Sequence, residues 1–399
     1  MLVAHKIALK PNNIQKTYFS RASGTARFAY NWALAEWNKQ YSASKDDPSQ
    51  PKPSQVALRR QLNAIKHEQF PWMLEVTKNA PQMAIIQLGT AFKNFFAGTA
   101  AYPTFRKKGV HDRFTVTNDQ FQVDGSRIRI PNLGWVRMRE TLRFAGKIMS
   151  ATISRVADRW FVSITVDTSL SNLPRAENQG AVGVDLGVSV LATLSTGERI
   201  MGPKAHKAAL LRLKRLSRSL SRKTKGSNNR KKAQMKIARL HAKISNIRKD
   251  GLHKLTTDLT RRFDTIGIED LNVKGMMKNR RLSRAIGDMG FYEFRRQLNY
   301  KAGFRGNAIV VAERWFASSK ICSACDCKVE SLPLSVRVWT CSSCNTLHDR
   351  DVNAANNLKN LAVSSTVSVC GEEGSGFERK PKVKPSSMKQ KSNAIATYG

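Results

Sequence analysis

Two sets of residues in this chain of 399 have the types and spacing to do chemistry. The first is a set of thiols. Cys322-Ser323-Ala324-Cys325 and Cys341-Ser342-Ser343-Cys344 are Cys-x-x-Cys knuckles separated by fifteen residues, the spacing of a four-thiolate zinc site. Each knuckle offers two sulfurs from a tight turn, and four sulfurs close a tetrahedron with no open position, so the one Zn²⁺ expected here is structural. Its binding is worth on the order of 10 kcal/mol, which lets about thirty residues with almost no core take one fold. Cys327 and Cys370 lie outside the pattern, and spacing alone leaves open whether Cys327 replaces Cys325 as a ligand.

The second set is acidic. Asp185 interrupts an apolar run from Ala181 to Ser195, and Glu269 ends the apolar stretch Thr265-Ile266-Gly267-Ile268. A buried strand tolerates such a charge only where a cation meets it, because an unpaired buried carboxylate costs on the order of several kcal/mol. For either acid alone, an ordinary ion pair would satisfy that requirement. Asp349 and Asp351 add acidic groups directly after the second knuckle, at a helix start whose alanines permit close packing. Three acidic sites, each in a distinct apolar element, fit one divalent-metal site better than three separate ion pairs.

The elements that must position these groups follow from hydrophobic period. Leu2 to Leu9 alternates as a strand stopped by Pro11 and Asn12. Helical spacing runs from Ser23 to Trp37, from Ser54 to about Gln69 and from Ala80 to Phe96. The aromatics there, Phe28, Trp32 and Trp37, suit either a core or base stacking. From Arg113 to Asp167 the period is two, with turns at Asp124-Gly125 and Ala157-Asp158-Arg159, which predicts a small antiparallel sheet or barrel. Its alternate arginines suit a phosphate backbone or an ordinary solvated face. Ala181 to Ser195, Thr265 to Glu269 and Ala308 to Glu313 read as buried strands, and Asp351 to Leu361 as a helix. Beyond Leu361 the chain is rich in Ser, Thr, Gly, Lys and Pro, and little fixed structure is expected.

Between residues 201 and 250 there are seventeen Lys or Arg and one acid. Leu210, Leu213, Leu216 and Leu220 form one stripe; after the turn signal Gly226-Ser227-Asn228-Asn229, a second runs through Ile237, Leu240, Ile244 and Ile247 to Leu259. An antiparallel helical hairpin with a basic, phosphate-contacting outer face is predicted. The whole chain carries 68 Lys and Arg against 29 Asp and Glu, a formal charge of +39. That excess calls for a polyanion, and nucleic acid is the obvious one. Binding through about 6 to 10 phosphates weakens by roughly 10³ to 10⁵ between low and physiological salt. No apolar run of about 18 residues and no signal peptide is found, so no membrane partner is expected. A reducing, cytoplasmic location favours metal ligation over disulfides for the six cysteines. The length suggests two or three modules.

In order along the chain stand Gly183-Val184-Asp185-Leu186-Gly187, Ile268-Glu269-Asp270-Leu271-Asn272, the two knuckles, and His348-Asp349-Arg350-Asp351-Val352-Asn353-Ala354-Ala355. That order resembles the RuvC-like nucleases of the TnpB family, transposon-encoded proteins similar to compact type V CRISPR effectors. The likeness reaches back to Ala91-Phe92-Lys93-Asn94-Phe95-Phe96 and Pro103-Thr104-Phe105-Arg106-Lys107-Lys108-Gly109, and covers roughly residues 1–361.

The resemblance implies an α/β multidomain chain. Residues 181–316 and 345–361 would form a RuvC-like ribonuclease H core, carrying the basic hairpin 201–262 and the zinc ribbon 317–344. Residues 1–20 and 101–180 would form a wedge-like β-barrel, interrupted by a helical recognition module at 21–100, and 362–399 a disordered tail. It makes Asp351, and not Asp349, the third acid beside Asp185 and Glu269. Two Mg²⁺ ions roughly 4 Å apart are then expected, bridged by Asp185 and held on either side by Glu269 and Asp351. The implied activity is RNA-guided cleavage of double-stranded target DNA beside a short motif read by the protein, with a guide RNA from its own locus. A monomer in the prokaryotic cytoplasm, associated with the nucleoid, is expected. Candidate nucleic-acid contacts are Lys93, Arg106, Lys107 and Lys108 in the N-terminal half and Arg212, Arg215, Arg222, Lys231, Lys232 and Arg239 in the hairpin. Where the family has glycine after each knuckle this chain has Asp326 and Asn345, which bears on the backbone of the first knuckle. The rival readings are a DNA-binding or RNA-guided regulator that leaves its acids unused, and a transposase that joins strands.

Overall fold

The computed structural model describes residues 1–168, 177, 179–333 and 335–370. Strand β1 (Leu2–Ala8) buries Val3, His5 and Ile7, as a two-residue period requires. Helix α1 (Asn13–Asp46) begins well before Ser23. Its start is a capping box: Asn12 Oδ1 accepts from Gln15 N at 2.8 Å, and Gln15 Oε1 accepts from Asn12 N at 3.0 Å. Helices α2 (Gln55–Gln69) and α3 (Asn79–Phe96) complete a helical cluster. Trp37 stacks on Phe92 at 4.0 Å, and Phe28 and Trp32 pack against the same core, so these rings serve packing.

Six strands follow: β2 (Arg113–Thr117), β3 (Gln122–Asp124), β4 (Arg127–Ile130), β5 (Gly134–Arg137), β6 (Lys147–Val156) and β7 (Arg159–Asp167). They form two antiparallel sheets, one of order β1-β7-β6-β2 and one of order β3-β4-β5. An isolated bridge between Leu9 and Met138 links them, and they share one apolar core with the helices. Among the described residues no ladder closes these sheets into the expected barrel. The two sheets meet through the isolated Leu9–Met138 bridge and the shared core, so their remaining edges stay open.

The second half is built on β8 (Ala181–Leu186), β9 (Ala192–Leu194) and β10 (Arg199–Ile200), then α4 (Ala205–Ser221) and α5 (Asn228–Arg262). Next come β11 (Thr265–Glu269), α6 (Val273–Met276), α7 (Ser283–Met289), α8 (Phe291–Arg305) and β12 (Ala308–Ala312). The cysteine region holds β13 (Val338–Thr340) and β14 (Leu347–Asp349), and α9 (Arg350–Cys370) ends the described chain. A five-stranded sheet has the order β10-β9-β8-β11-β12. Strands β8, β11 and β12 are parallel, whereas β9 runs antiparallel to both its neighbours.

Helices α4 and α5 make the predicted hairpin, sealed by Leu213, Leu240 and Ile244. The second half of α5 leaves the hairpin and buries Leu252, Leu255 and Leu259 against the sheet with Phe294 and Leu298 of α8. Helix α9 continues past Leu361 to Cys370, which corrects the expectation of little structure for residues 362–370. The reason is a stripe at four-residue spacing, Ala354, Leu358 and Ala362, all buried. The rest of the expected tail, residues 371–399, lies outside the described residues.

Candidate active site

Strand parity builds the site. Successive side chains of a strand face opposite sides, so Val182, Val184, Ile266 and Ile268 enter the core under α5 and α8. Gly183 and Asp185 then share the other face of β8, as Gly267 and Glu269 share that of β11. Gly183 is paired with Gly267 in the parallel ladder, and two residues further on each strand carries its acid, Glu269 as the last residue of β11 and Asp185 as the last but one of β8. Helix α9 lies on the two glycines. A Cβ at Gly183 would fall 1.8 Å from the Ala355 carbonyl oxygen, and one at Gly267 would fall 2.2 Å from that of Leu358. Only glycine permits that approach. The first turn of α9 therefore delivers Asp351 to the end of the sheet where Asp185 and Glu269 stand.

Asp185 and Asp351 line one cleft of about 140 Å³ with Ser189, Thr193 and Arg337. Glu269 lines a neighbouring cavity of about 450 Å³ with Lys274, Arg295 and Arg314. Ser318 Oγ donates to Glu269 Oε1 at 2.6 Å, and Arg337 pairs with Asp351 at 3.1 Å. Burial first, and then the charges of Glu269 and Asp351, push the Asp185 carboxyl up to about 8 against the opposing pull of Arg350 and Arg337. A hard divalent cation suits carboxylate oxygens, and its positive charge would offset the repulsion of Glu269 and Asp351 that holds Asp185 protonated. Asp349 has other work: its Oδ1 accepts from Val352 N at 3.0 Å, capping α9, and its Oδ2 meets Arg199 at 2.6 Å.

Sequence reasoning missed the residues that tie this site to the cysteines. Asn353 Oδ1 accepts from Ser323 N at 2.9 Å, and its Nδ2 donates to the Ile321 carbonyl at 2.7 Å. Asn357 Nδ2 donates to the Ser318 and Ile321 carbonyls at 2.7 and 2.6 Å. Both asparagines are buried, and they fasten the segment entering the first knuckle to α9. Their spacing of four inside a helix, where Asn is a poor former, was the available signal.

The sulfurs of Cys322, Cys325, Cys341 and Cys344 lie within 4.8 Å of one another, and among the described residues only this set gathers so closely. Four soft ligands in that arrangement fit one zinc ion. Cys327 stands outside the set and accepts from Ser343 Oγ at 2.9 Å, so Cys325 keeps its place. Asp326 and Asn345 both adopt left-handed φ, 58° and 54°, and their N–H groups bond back to Cys322 and Cys341 as a knuckle requires. The Cys344 thiol is drawn down to about 6, first by the Thr346 hydroxyl and then by the Thr346 backbone.

Of the basic candidates, Lys93, Lys107, Lys108, Arg212, Arg215, Arg222, Lys231 and Lys232 are exposed. Arg239 is also exposed, but it grips Asp158 with two bonds of 3.0 and 2.7 Å. Arg106 is turned inward: its guanidinium lies 3.7 Å from the Tyr30 ring centre and donates to Gln87 at 2.9 Å, and burial lowers its pKa to about 10. Its partners are protein groups where a phosphate was expected.

Comparison with known proteins brings the same regions forward. A family model described as "Probable transposase" matches residues 161–280, one described as "Cas12f1-like, TNB domain" matches 291–358, and one described as "Helix-turn-helix domain" matches 1–46. A "Putative RNA-guided DNA endonuclease" of Streptomyces pristinaespiralis is 39% identical over 378 residues, 92% of this chain and 91% of its own. The "Putative RNA-guided DNA endonuclease InsQ" of Escherichia coli (strain K12) is 34% identical over 387 residues, 93% of this chain and 94% of its own. The chain belongs to the TnpB family. A solved complex of Cas12f1 with sgRNA and target DNA matches this TnpB-family chain with a TM-score of 0.53 at 14% identity, over 87% of this chain and 83% of that one. The two share a fold. The matched helix-turn-helix region is, in this TnpB-family chain, one strand followed by one unbroken helix of 34 residues.

Proposed function

We propose that this chain is an RNA-guided DNA endonuclease in which Asp185, Glu269 and Asp351 hold the catalytic metal, two Mg²⁺ ions, in a RuvC-like ribonuclease H core. One observation carries the reading: three acids from β8, β11 and α9 converge on one end of a sheet, and burial with two like charges holds back the ionisation of Asp185. The sheet order, with an antiparallel β9–β10 pair beside three parallel strands, supports the ribonuclease H assignment. Bound there, the metal would activate a water molecule and stabilise the oxygen leaving the cleaved phosphodiester. The chain's own residues supply position. The glycine seat under α9 fixes Asp351 relative to Asp185, Ser318 orients the Glu269 carboxylate, and Arg337 offsets the crowded negative charge.

Cys322, Cys325, Cys341 and Cys344 would hold one structural zinc. The names of the relatives support an RNA guide, here proposed to come from the chain's own locus, and a double-stranded DNA target beside a short motif read by the protein. Base pairing then carries most sequence information, while protein charge holds the nucleic acids. The exposed cations of α4, α5 and the Lys93 and Lys107-Lys108 regions are proposed to contact phosphates. The expected working form is a monomer beside the nucleoid.

The test is to express the gene with its native flanking DNA, purify the protein at moderate salt and sequence the RNA that comes with it. A discrete RNA spanning the end of the gene, whose rewritten terminal segment redirects cleavage, is the expected result. Random RNA fragments, with cutting that ignores the rewritten segment, would refute guidance. Joining of cut ends to a second duplex would favour the strand-transfer activity that the description "Probable transposase" names.

A further inference from the structure

Beside the acids lies another cavity, of about 510 Å³, whose walls carry Lys204, Lys207, Arg280, Arg281 and Arg284. It adjoins the acidic cleft: Val188 and Ser189 line both, and Lys204 Nζ donates to the Ser189 carbonyl at 3.0 Å. Among the described residues of its lining the one carboxylate is Asp288, which is buried and already accepts from the backbone N–H groups of His206 and Lys207 at 2.9 and 3.0 Å. None of the described ion pairs includes any of the five cations. Four of them are exposed, with Lys204 half-buried. Two separate elements, the start of α4 and the segment entering α7, thus bring like charges to one concavity, which raises the local potential for an anion. Three of the five are arginines, whose planar fork suits a phosphate oxygen pair.

We propose that this cavity is a phosphate subsite for the DNA strand being cut, holding a backbone phosphate near the scissile bond and so setting which bond meets the acids. The inference rests on the endonuclease reading above. A guide RNA carries the same phosphodiester chemistry, but the wall shared with the acidic cleft favours the strand that enters that cleft.

The test compares the guide-loaded wild-type complex with the double variant Arg281→Ala/Arg284→Ala. Target DNAs carry one neutral methylphosphonate at each position in turn around the cut. In the wild type, neutralising one particular position should slow cleavage roughly tenfold or more, as expected for removing a charge-assisted hydrogen bond. In the variant, fully charged DNA should be cut more slowly and that position should no longer matter, while every other position behaves as in the wild type. Identical interference profiles in the two proteins would overturn the subsite, and would be the result if its phosphate belonged to the guide. Should the wild type cut nothing, the endonuclease reading fails separately. The subsite is then judged with a single-stranded oligonucleotide: the variant should lower the slope of log affinity against log salt by about 0.7 for each phosphate it no longer neutralises, and an unchanged slope overturns it.

Discussion

The cysteine cluster and the carboxylate cluster both crowd ligands of one kind, yet they are held together in opposite ways. The knuckles ride on turns and on two strands of three residues, around a buried apolar set of Trp339 and two of the sulfurs themselves. The acids ride on paired strands and a helix whose backbones nearly touch. The ribbon has little but its four sulfurs to hold its shape, whereas the acids take their positions from the backbone and do not gather as closely as the thiols do. One arrangement suits a closed structural ion, the other a metal that must leave room for substrate.

The largest expected effect falls on the acids. Asp185→Ala, Glu269→Ala or Asp351→Ala should each reduce Mg²⁺-dependent cleavage to background and leave RNA and DNA affinity nearly unchanged, because a metal ligand serves the transition state and not the phosphate grip. Retained cutting by any of the three would remove that acid from the site. Next in size is the ribbon. Purified protein should hold one zinc per chain, lost in Cys322→Ser or Cys341→Ser together with on the order of 10 kcal/mol of local folding energy, read as new proteolysis between the knuckles. Well-folded protein without zinc would break the comparison from that side.

Gly183→Ala probes the preformed half. Forcing a methyl group against the Ala355 carbonyl should cost about 1 to 3 kcal/mol, lower the Tm and raise the Mg²⁺ concentration needed for half-maximal cutting. An unchanged Tm would mean that α9 is not seated as described.

Charge balance is tested by pH. The Asp185 carboxyl titrates near 3.8 when unfolded and near 8 when folded, so between those values the unfolded chain gives up its proton first. Its contribution to metal-free stability is full below 3.8 and is lost as pH rises to about 8. The gain in Tm on adding Mg²⁺ should grow across the same window, and Asp185→Asn should abolish that growth. A gain independent of pH in the wild type would sink the argument. The smallest effect belongs to Asp349→Ala, which removes the α9 cap at about 0.5 to 2 kcal/mol and should leave cutting largely intact.

The thiol cluster and the strands that carry Asp185 and Glu269 were legible in the sequence, because four thiols at ligand spacing, or a charge in an apolar strand, break local consistency, whereas the choice of Asp351 over Asp349 came from the family resemblance. The hairpin was legible for the same kind of reason, since its leucine stripes are local. Ser318 was not, because its partner Glu269 is 49 residues away and nothing local marks the pair. The seat at Gly183 and Gly267 needed the position of a helix contributed from the far end of the chain. Helix α1 was read short because its first turns are held by the Asn12–Gln15 box and carry few apolar residues to count. Alternation left sheet and barrel both open, because it gives strands but not whether their edges meet, and the barrel itself came from the family resemblance.

Locating both kinds of metal in one crystal decides whether the acids and the cysteines are the two metal sites. Crystals of the guide-loaded protein grown with Mn²⁺ in place of Mg²⁺ allow anomalous scattering to tell manganese from zinc. The expected result is manganese coordinated by Asp185, Glu269 and Asp351, with a separate zinc among Cys322, Cys325, Cys341 and Cys344. Manganese bound by only one of the three acids, or zinc absent from the four cysteines, would contradict it.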